Sequence, residues 1–407
     1  MKILHTSDIH IGKKLYAYQR NEEQAAFLQE LAQVCKEEQI DIVLIAGDLF
    51  DTFNPSVASM TLLYDSLYEI SENGKRPIVA IAGNHDSADR IDMPDSFAKK
   101  NGIFFLGNYG VYQEMGKINE HITIEKSGAN YLQIKLPKYN YPLQLIATPF
   151  VNEQRLREHF DIDNQEQALR DYLQNIWQQT IENFKDEEGA KVLMTHLFVI
   201  DDENDSRQEP EDENAINVGG LSAIYSENIP TEIQYTALGH LHRCQKVGDR
   251  EIWYSGSPLA YSFNEEEQNK YFLIVDIEPN EKPIVHKRKI ESGKKVKNLV
   301  ARGFEEALQL LKEHQDYWVL LHLIAEKAIS YEETTTLHSA HEHLLQIIPE
   351  IASRNEQSEQ RSKIVETKYN PIELFKEYYK SNNANQEPNQ TLIDLFQEII
   401  NHKNEAN

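Results

Sequence analysis

The stretch Ile42-Val-Leu-Ile-Ala-Gly-Asp-Leu-Phe-Asp51 is an apolar run that stops abruptly at Gly47-Asp48. A short run of Val, Ile and Leu halted by Gly reads as a strand buried on both faces. Asp48 is therefore expected at the strand's carboxyl end, where open α/β sheets place their chemistry. Other runs end in the same way: Lys2-Ile-Leu-His-Thr-Ser-Asp8-Ile-His10, Ile78-Val-Ala-Ile-Ala-Gly-Asn84-His85-Asp86, Val192-Leu-Met-Thr-His196 and Tyr235-Thr-Ala-Leu-Gly-His240-Leu-His242. Each closes in residues suited to hold a metal, with Asp48 expected among them.

The 407 residues, 40% hydrophobic, suffice for two or three domains with a large core. No apolar run approaches the length of a bilayer span, and the first residues already form a strand with site residues, so a cytoplasmic protein is expected. Only Cys35 and Cys244 occur, without zinc-site spacing. Cys35 falls on a helical pattern and reads as core. Cys244, two residues after His242, reads as a packing side chain, with metal contact the alternative. A formal charge of −25 argues against a protein that coats nucleic acid through its overall field. It leaves room for a DNA enzyme, because bound cations invert local electrostatics.

In chain order, Phe27, Leu28, Leu31 and Val34 mark a helix between the first two strands, and Met60, Leu63, Leu67 and Ile70 mark another that Asn73-Gly74 ends. From Gly102 to Phe150 short alternating runs suggest antiparallel strands and hence a mixed sheet. Residues 153–185 read as helical, with Leu156, Phe160, Leu169, Tyr172, Leu173, Ile176 and Trp177 buried. The segment 201–214 holds eight acidic residues and one basic residue and reads as a solvated loop. Pro279 to Pro283 is the expected domain boundary, placing a first domain at 1–280. Beyond it Lys294–Val300, Phe304–Leu311, Trp318–Ile324, Tyr331–Ile348 and Ser362–Glu366 alternate strand, helix, strand, helix, strand, which fits a small α/β domain at 281–369. His286–Lys289 and Lys294–Lys297 are the densest basic stretches, read either as a solvated strand edge or as a DNA-facing patch. After Asn370-Pro371 the tail 370–407 carries two short amphipathic pieces, Ile372–Tyr379 and Leu392–Ile400, best suited to a partner's groove.

Hydrolysis of a phosphodiester needs a nucleophile near neutral pH, neutralised phosphate charge and help for the leaving alkoxide. Two cations ~3.5–4 Å apart supply the first two, and a bridging anion must sit between them. Asp48, on a rigid strand end, is the natural bridge. Asp8, His10 and one imidazole of the His240/His242 pair complete one shell, while Asn84, His196 and the other imidazole complete the second. Such donors, without thiolate, favour manganese, magnesium or iron over structural zinc. His85 need not be a ligand and is placed to assist the leaving oxygen, with Asp51 or Asp86 to orient it unless these carboxylates cap helices.

The ordered set Asp-x-His, Gly-Asp, Gly-Asn-His-Asp, Thr-His and Gly-His-x-His resembles the calcineurin-like metallophosphoesterase superfamily over residues 1 to about 280. Residues around the motifs narrow the resemblance: His5–Gly12 with Arg20, Ala46–Thr52 with Pro55, Ala82–Ser87, Gly239–Arg243 and Gly256–Phe263, together with the second domain and the tail, look like the bacterial SbcD nuclease-subunit family. The resemblance implies a mixed β-sheet sandwich flanked by helices, with a small α/β capping domain and a C-terminal helical tail. It also implies a manganese-dependent exonuclease and endonuclease acting on double-stranded DNA ends and hairpins in repair, recombination and replication. Such subunits work as a homodimer within a heterotetramer with SbcC, a coiled-coil ATPase. By the same pattern Asp8, His10, Asp48 and His242 hold one metal, Asp48, Asn84, His196 and His240 hold the other, and His85 matches the catalytic histidine. The acidic loop at 201–214 has no counterpart in that pattern. The alternative is a stand-alone phosphatase or cyclic-nucleotide phosphodiesterase on the same scaffold.

Overall fold

The computed structural model describes residues 1–151, 165–184, 187–205, 207, 223–325, 327, 329–351, 388 and 392–393. Packing divides the chain into two compact units, the larger built on Met1–Leu299 and the smaller on Val300–Leu310 and Leu321–Ala340.

Two sheets organise the larger unit. Apolar runs without alternation make its first sheet: β1 (Lys2–Thr6), β2 (Ile42–Ile45), β3 (Ile78–Ile81) and β4 (Ile103–Leu106) run parallel in that order, and β2, β3 and β4 are buried at every position. Helix α1 (Asn21–Glu37) joins β1 to β2 and buries Phe27, Leu28, Leu31, Val34 and Cys35 against this sheet. Helix α2 (Val57–Ile70) starts where the Ser56 hydroxyl accepts the Ser59 amide at 3.1 Å, and it buries Leu63, Leu67 and Ile70. The chain then turns through Asn73 and Gly74, both at positive φ.

The second sheet contains β5 (Thr123–Gly128), β6 (Tyr131–Lys135), β7 (Leu143–Thr148), β8 (Ala190–His196), β9 (Tyr235–Gly239), β10 (Gln245–Val247) and β11 (Ile252–Tyr254), in the order β10-β11-β9-β8-β7-β6-β5 with the short strand Gly116–Lys117 at its far edge. Helix α3 (Gln165–Glu182) covers its outer face with Leu169, Leu173, Trp177 and Ile181, while Tyr172 and Ile176 are half-buried. Between the two sheets lies a continuous apolar layer that includes Ile3, Leu44, Ile81, Leu145, Met194 and Ala237. Of the expected helix at 153–185, residues 153–164, with Leu156 and Phe160, and residue 185 lie outside the described residues.

Strand direction departs from expectation between Gly102 and Phe150. β5 and β6 are antiparallel, but β4 is parallel to β3, and β7 is parallel to β8 while antiparallel to β6. Runs buried on both faces fit either direction, so only the connections decide.

β12 (Tyr271–Asp276) pairs antiparallel with β1, and β13 (Ile284–Lys289) pairs antiparallel with β12. The Pro279–Pro283 stretch, expected as a boundary, thus joins two strands of one sheet. The basic side chains beyond it are largely engaged: Arg288 pairs with Glu37 at 3.4 Å, Lys289 with Glu291 at 2.9 Å and Lys297 with Glu266 at 2.6 Å. Lys287 lies over the Trp253 ring, 4.9 Å from its centroid. These contacts fit a solvated strand edge better than a free phosphate-binding face.

Past Lys294, β14 (Lys295–Arg302), α4 (Phe304–Glu313), β15 (Tyr317–Ala325), α5 (Tyr331–Ala340) and β16 (Leu344–Ile351) follow, the strands in the order β14-β15-β16. The stretch Tyr331–Ile348, expected as one helix, is helix only to Ala340. A turn at His341–His343 and the Ile347-Ile348 pair, β-branched and stiff at χ1, make the rest a strand. Ser362–Glu366, most of the tail and most of the acidic segment 201–214 lie outside the described residues. Among the described residues, no helix is long and apolar enough to cross a membrane.

Candidate metal centre

Every expected site residue stands at or just beyond the carboxyl end of a parallel strand. β1 delivers Asp8 and His10, β2 delivers Asp48 and Asp51, and β3 delivers Asn84, His85 and Asp86. From the second sheet, β8 ends on His196, and β9 leads into His240 and His242. All but Asp51 are buried, with Asp8, His10, Asp48, Asp86, His196 and His240 at 0% exposure.

The strand ends turn sharply to converge. Asp8, His10, Asp48 and His240 all have positive φ, at 53°, 47°, 50° and 100°. Non-glycine residues in this region are strained, and such strain at a buried cluster marks a functional constraint. Backbone bonds hold the turns together: the Asp8 amide donates to Gly47, the His10 amide to Asp48 and the Ile11 amide to Leu49, each at 3.0 Å.

Close approach also demands glycine at Gly83. A Cβ there would lie 1.9 Å from Asp48 Oδ1 and 2.4 Å from the Asp48 amide nitrogen. We therefore expect Gly83→Ala to displace Asp48, weaken cation binding and lower stability by about 1–3 kcal/mol, the usual cost of overpacking. Metal titration and thermal melts of the variant check this; unchanged binding would show that the Asp48 turn yields.

Around Asp8, potential ligand atoms form two clusters in which all members lie within 4.8 Å of one another, Asp8, His10 and His242, and Asp8, Asp48 and His196; a third, equally close, joins His10, Asp51 and His85. His10 Nε2 and His242 Nε2 face each other at 3.2 Å. Asp48 faces a histidine of each cluster, its Oδ2 lying 3.6 Å from His10 Nε2 and 3.3 Å from His196 Nε2. Asn84 Oδ1 lies 2.9 Å from His196 Nε2, and the His240 ring stands edge-on to His196 with centroids 5.5 Å apart. Buried carboxylates cost several kcal/mol each unless compensated, so ring nitrogens and carboxylate oxygens aimed at common points fit divalent cations. Cys244 falls in none of these clusters.

Electrostatics among the side chains of the site point the same way. Burial opposes the His196 imidazolium, yet Asp48, with Asp8 behind it, outweighs burial and holds this histidine up to about 9. Burial and then Lys13 keep His10 well below the usual histidine range, and burial raises Asp8. His196 thus carries a proton at neutral pH that a cation must displace. Because its folded value lies above the unfolded one, the proton's stabilising contribution is complete below about 6.5 and is lost as pH rises through about 9. Cation affinity should therefore climb with pH across that window, by about tenfold per unit for each proton released. Calorimetric titrations in buffers of different ionisation enthalpy check this; pH-independent binding without proton release would contradict it.

His85 lies beside the two clusters that share Asp8, its ring edge-on to His10 with centroids 4.7 Å apart. Its Nδ1 is 3.1 Å from the Asp51 carbonyl oxygen. A carbonyl only accepts, so Nδ1 carries the hydrogen. Asp51 reaches His85 through its main chain, while its carboxylate lies 3.8 Å from Lys13 Nζ and 3.9 Å from His10 Nδ1. Asp86 accepts the amides of Leu49, Phe50 and Gly83 at 3.0, 2.9 and 2.9 Å, bracing the Asp48 turn. Neither carboxylate caps a helix, since Ser56 and Ser87 occupy those positions.

Several supporting residues carried no sequence signal. Gln24 accepts the Gly12 amide and donates to the His10 carbonyl, both at 3.0 Å. Glu265 lies in the run Asn264-Glu-Glu-Glu267, where nothing separates a buried carboxylate from its neighbours. His5 sits in the first motif, but its ring bonds Tyr235 and the Leu238 carbonyl at 2.9 and 3.2 Å, and burial pushes it down to about 3.

The calcineurin-like phosphoesterase family model matches residues 1–244, and the chain belongs to this family. It is 34% identical to the SbcD subunit of nuclease SbcCD from Bacillus subtilis strain 168 over 408 residues, spanning 98% of this chain and 97% of that protein. With the protein of the same name from Staphylococcus epidermidis it shares 29% identity over 284 residues, 69% of this chain and 67% of that one. A dimetal phosphatase from Danio rerio aligns with 70% of this chain and 98% of its own at 12% identity and a TM-score of 0.35.

Proposed function

We propose that the chain is the nuclease subunit of an SbcCD-type complex, a two-metal phosphodiesterase that cuts DNA at double-stranded ends and hairpins in the cytoplasm. The observation that carries this reading is the end-to-end match to the SbcD subunit of nuclease SbcCD together with the two convergent ligand clusters. Asp8, His10, Asp48 and His242 would hold one cation, and Asp48, Asn84, His196 and His240 the other. Manganese suits these oxygen and imidazole donors, as do magnesium and iron(II). Bound cations would supply phosphate polarisation and a water whose pKa falls toward ~7.

The chain's own residues do the rest. Asp48 ties the two positions into one unit. His85, its Nδ1 tied to Asp51, presents Nε2 to donate a proton to the leaving oxygen. Beyond this domain, 281–369 would carry the capping domain past its edge strand, and 370–407 would dock an SbcC-type coiled-coil ATPase. Self-association into the homodimer of a heterotetramer belongs to the same proposal.

The test is cleavage of hairpin and blunt duplex DNA with manganese, with and without an SbcC-type ATPase and ATP. We expect metal-dependent cleavage that the ATPase stimulates. Hydrolysis of a small chromogenic ester with no action on DNA would instead favour the stand-alone phosphatase or cyclic-nucleotide phosphodiesterase. Truncation after Asn370 should leave manganese binding unchanged and abolish stimulation, because Leu374, Phe375, Tyr378 and Tyr379 sit at helical spacing in a piece too short to be stable alone. Retained stimulation in a co-purification and cleavage assay would move the docking site elsewhere.

A further inference from the structure

Each member of one ligand cluster is held by a single later segment. Ser7 donates to the Asp8 carboxylate, and its hydroxyl is 2.7 Å from that of Ser255. The Tyr261 hydroxyl donates to the Ile9 carbonyl, and its ring stands edge-on to His10 and His242, with centroids 5.6 and 6.0 Å apart. Lys270 Nζ donates to the His242 carbonyl and to Ser257 Oγ, both at 2.9 Å, and pairs with Glu265. Glu265 Oε1 in turn lies 3.9 Å from His242 Nδ1. The same carboxylate accepts the amides of Tyr261 and Ser262 at 2.9 and 3.0 Å, so the segment folds around it. All of these residues but Ser262 are buried.

The members that the second cluster does not share, Asp48 and His196, are braced from elsewhere. His196 Nδ1 lies 2.8 Å from the Ala46 carbonyl, and Asp48 Oδ1 accepts the His85 amide at 3.0 Å.

We propose that segment 255–270 is a positioning layer for the Asp8/His10/His242 cation position alone, so that affinity there is set separately from affinity at Asp48/His196. The proposal rests on the two-cation reading of the site. Glu265 faces Nδ1 of His242 and leaves Nε2 turned toward His10, while Lys270 fixes the same residue's main chain. Partners of this kind orient a ligand ring, and their loss typically costs 10–100-fold in metal affinity. Buried Lys270 and Glu265 also neutralise each other, so the cleanest removal takes both charges at once.

The experiment titrates metal-depleted full-length protein with manganese, following free Mn²⁺ by electron paramagnetic resonance, for the wild type, Glu265→Gln, Tyr261→Phe and the paired variant Glu265→Gln/Lys270→Met. We expect the wild type to bind two ions. The variants should keep one at wild-type affinity and hold the other about 10–100-fold more weakly. Melting curves of the metal-free paired variant should stay near the wild type. Equal weakening of both ions, or no change in either, would overturn the proposal. A wild type that binds fewer than two ions would instead overturn the two-cation reading on which it stands.

Discussion

Asp48→Asn is expected to lower phosphodiester cleavage by on the order of 10³-fold and to weaken both cations together. Asp48 Oδ2 faces His10 at 3.6 Å and His196 at 3.3 Å, so its charge serves both clusters. An amide is nearly isosteric but neutral, and it brings a donor where only acceptors fit. Cation catalysis contributes several kcal/mol of transition-state stabilisation, and each 1.36 kcal/mol is tenfold in rate. Proton binding in the metal-free protein should weaken as well. Losing a buried carboxylate removes the main partner of the His196 imidazolium, so this histidine should titrate below its wild-type value of about 9. Nuclear magnetic resonance titration of His196 alongside metal binding checks both halves. One ion retained at full affinity would show that Asp48 is not shared.

His85→Ala is expected to lose roughly 10²–10⁴-fold in turnover while both ions stay bound, the scale of general acid–base catalysis. The reason is geometric. His85 belongs to neither of the two ligand clusters that share Asp8, and its Nδ1 is committed to the Asp51 carbonyl. It does group with His10 and Asp51 in a third cluster whose ligand atoms also lie within 4.8 Å of one another. Turnover and metal content must therefore be measured on the same sample: loss of an ion in this variant would move His85 into the ligand set. Substrates with a better leaving group should be less sensitive to the substitution, because they need less protonation.

The site was legible because its residues obey a rule of position. Apolar strands such as Ile42–Ile45 and Ile78–Ile81 announce themselves by composition, and the residues just past each carboxyl end are where the sheet edge gathers function. Asp8, His10, Asp48, Asn84, His196, His240 and His242 could be read together for that reason. Direction and depth were beyond the reach of the pattern. Ile103–Leu106 is as apolar as its neighbours, so its parallel pairing emerges only from the crossover before it. Leu344–Ile351 comes so soon after a helix that helical spacing runs on through it. Glu265 and Lys270 are invisible for a different reason: a charged residue in a charged run looks solvated, and only tertiary packing buries it beneath His242. Basic residues at 286–297 show the converse, a local charge excess that the fold largely neutralises with Glu37, Glu291 and Glu266.

The most direct measurement of the central claim is anomalous diffraction at the manganese edge from crystals of the manganese-loaded protein. Two peaks ~3.5–4 Å apart, as in two-metal phosphoesterases, are expected with Asp48 between them, Asp8, His10 and His242 around one and Asn84, His196 and His240 around the other. A single peak, or peaks away from these residues, would contradict the account.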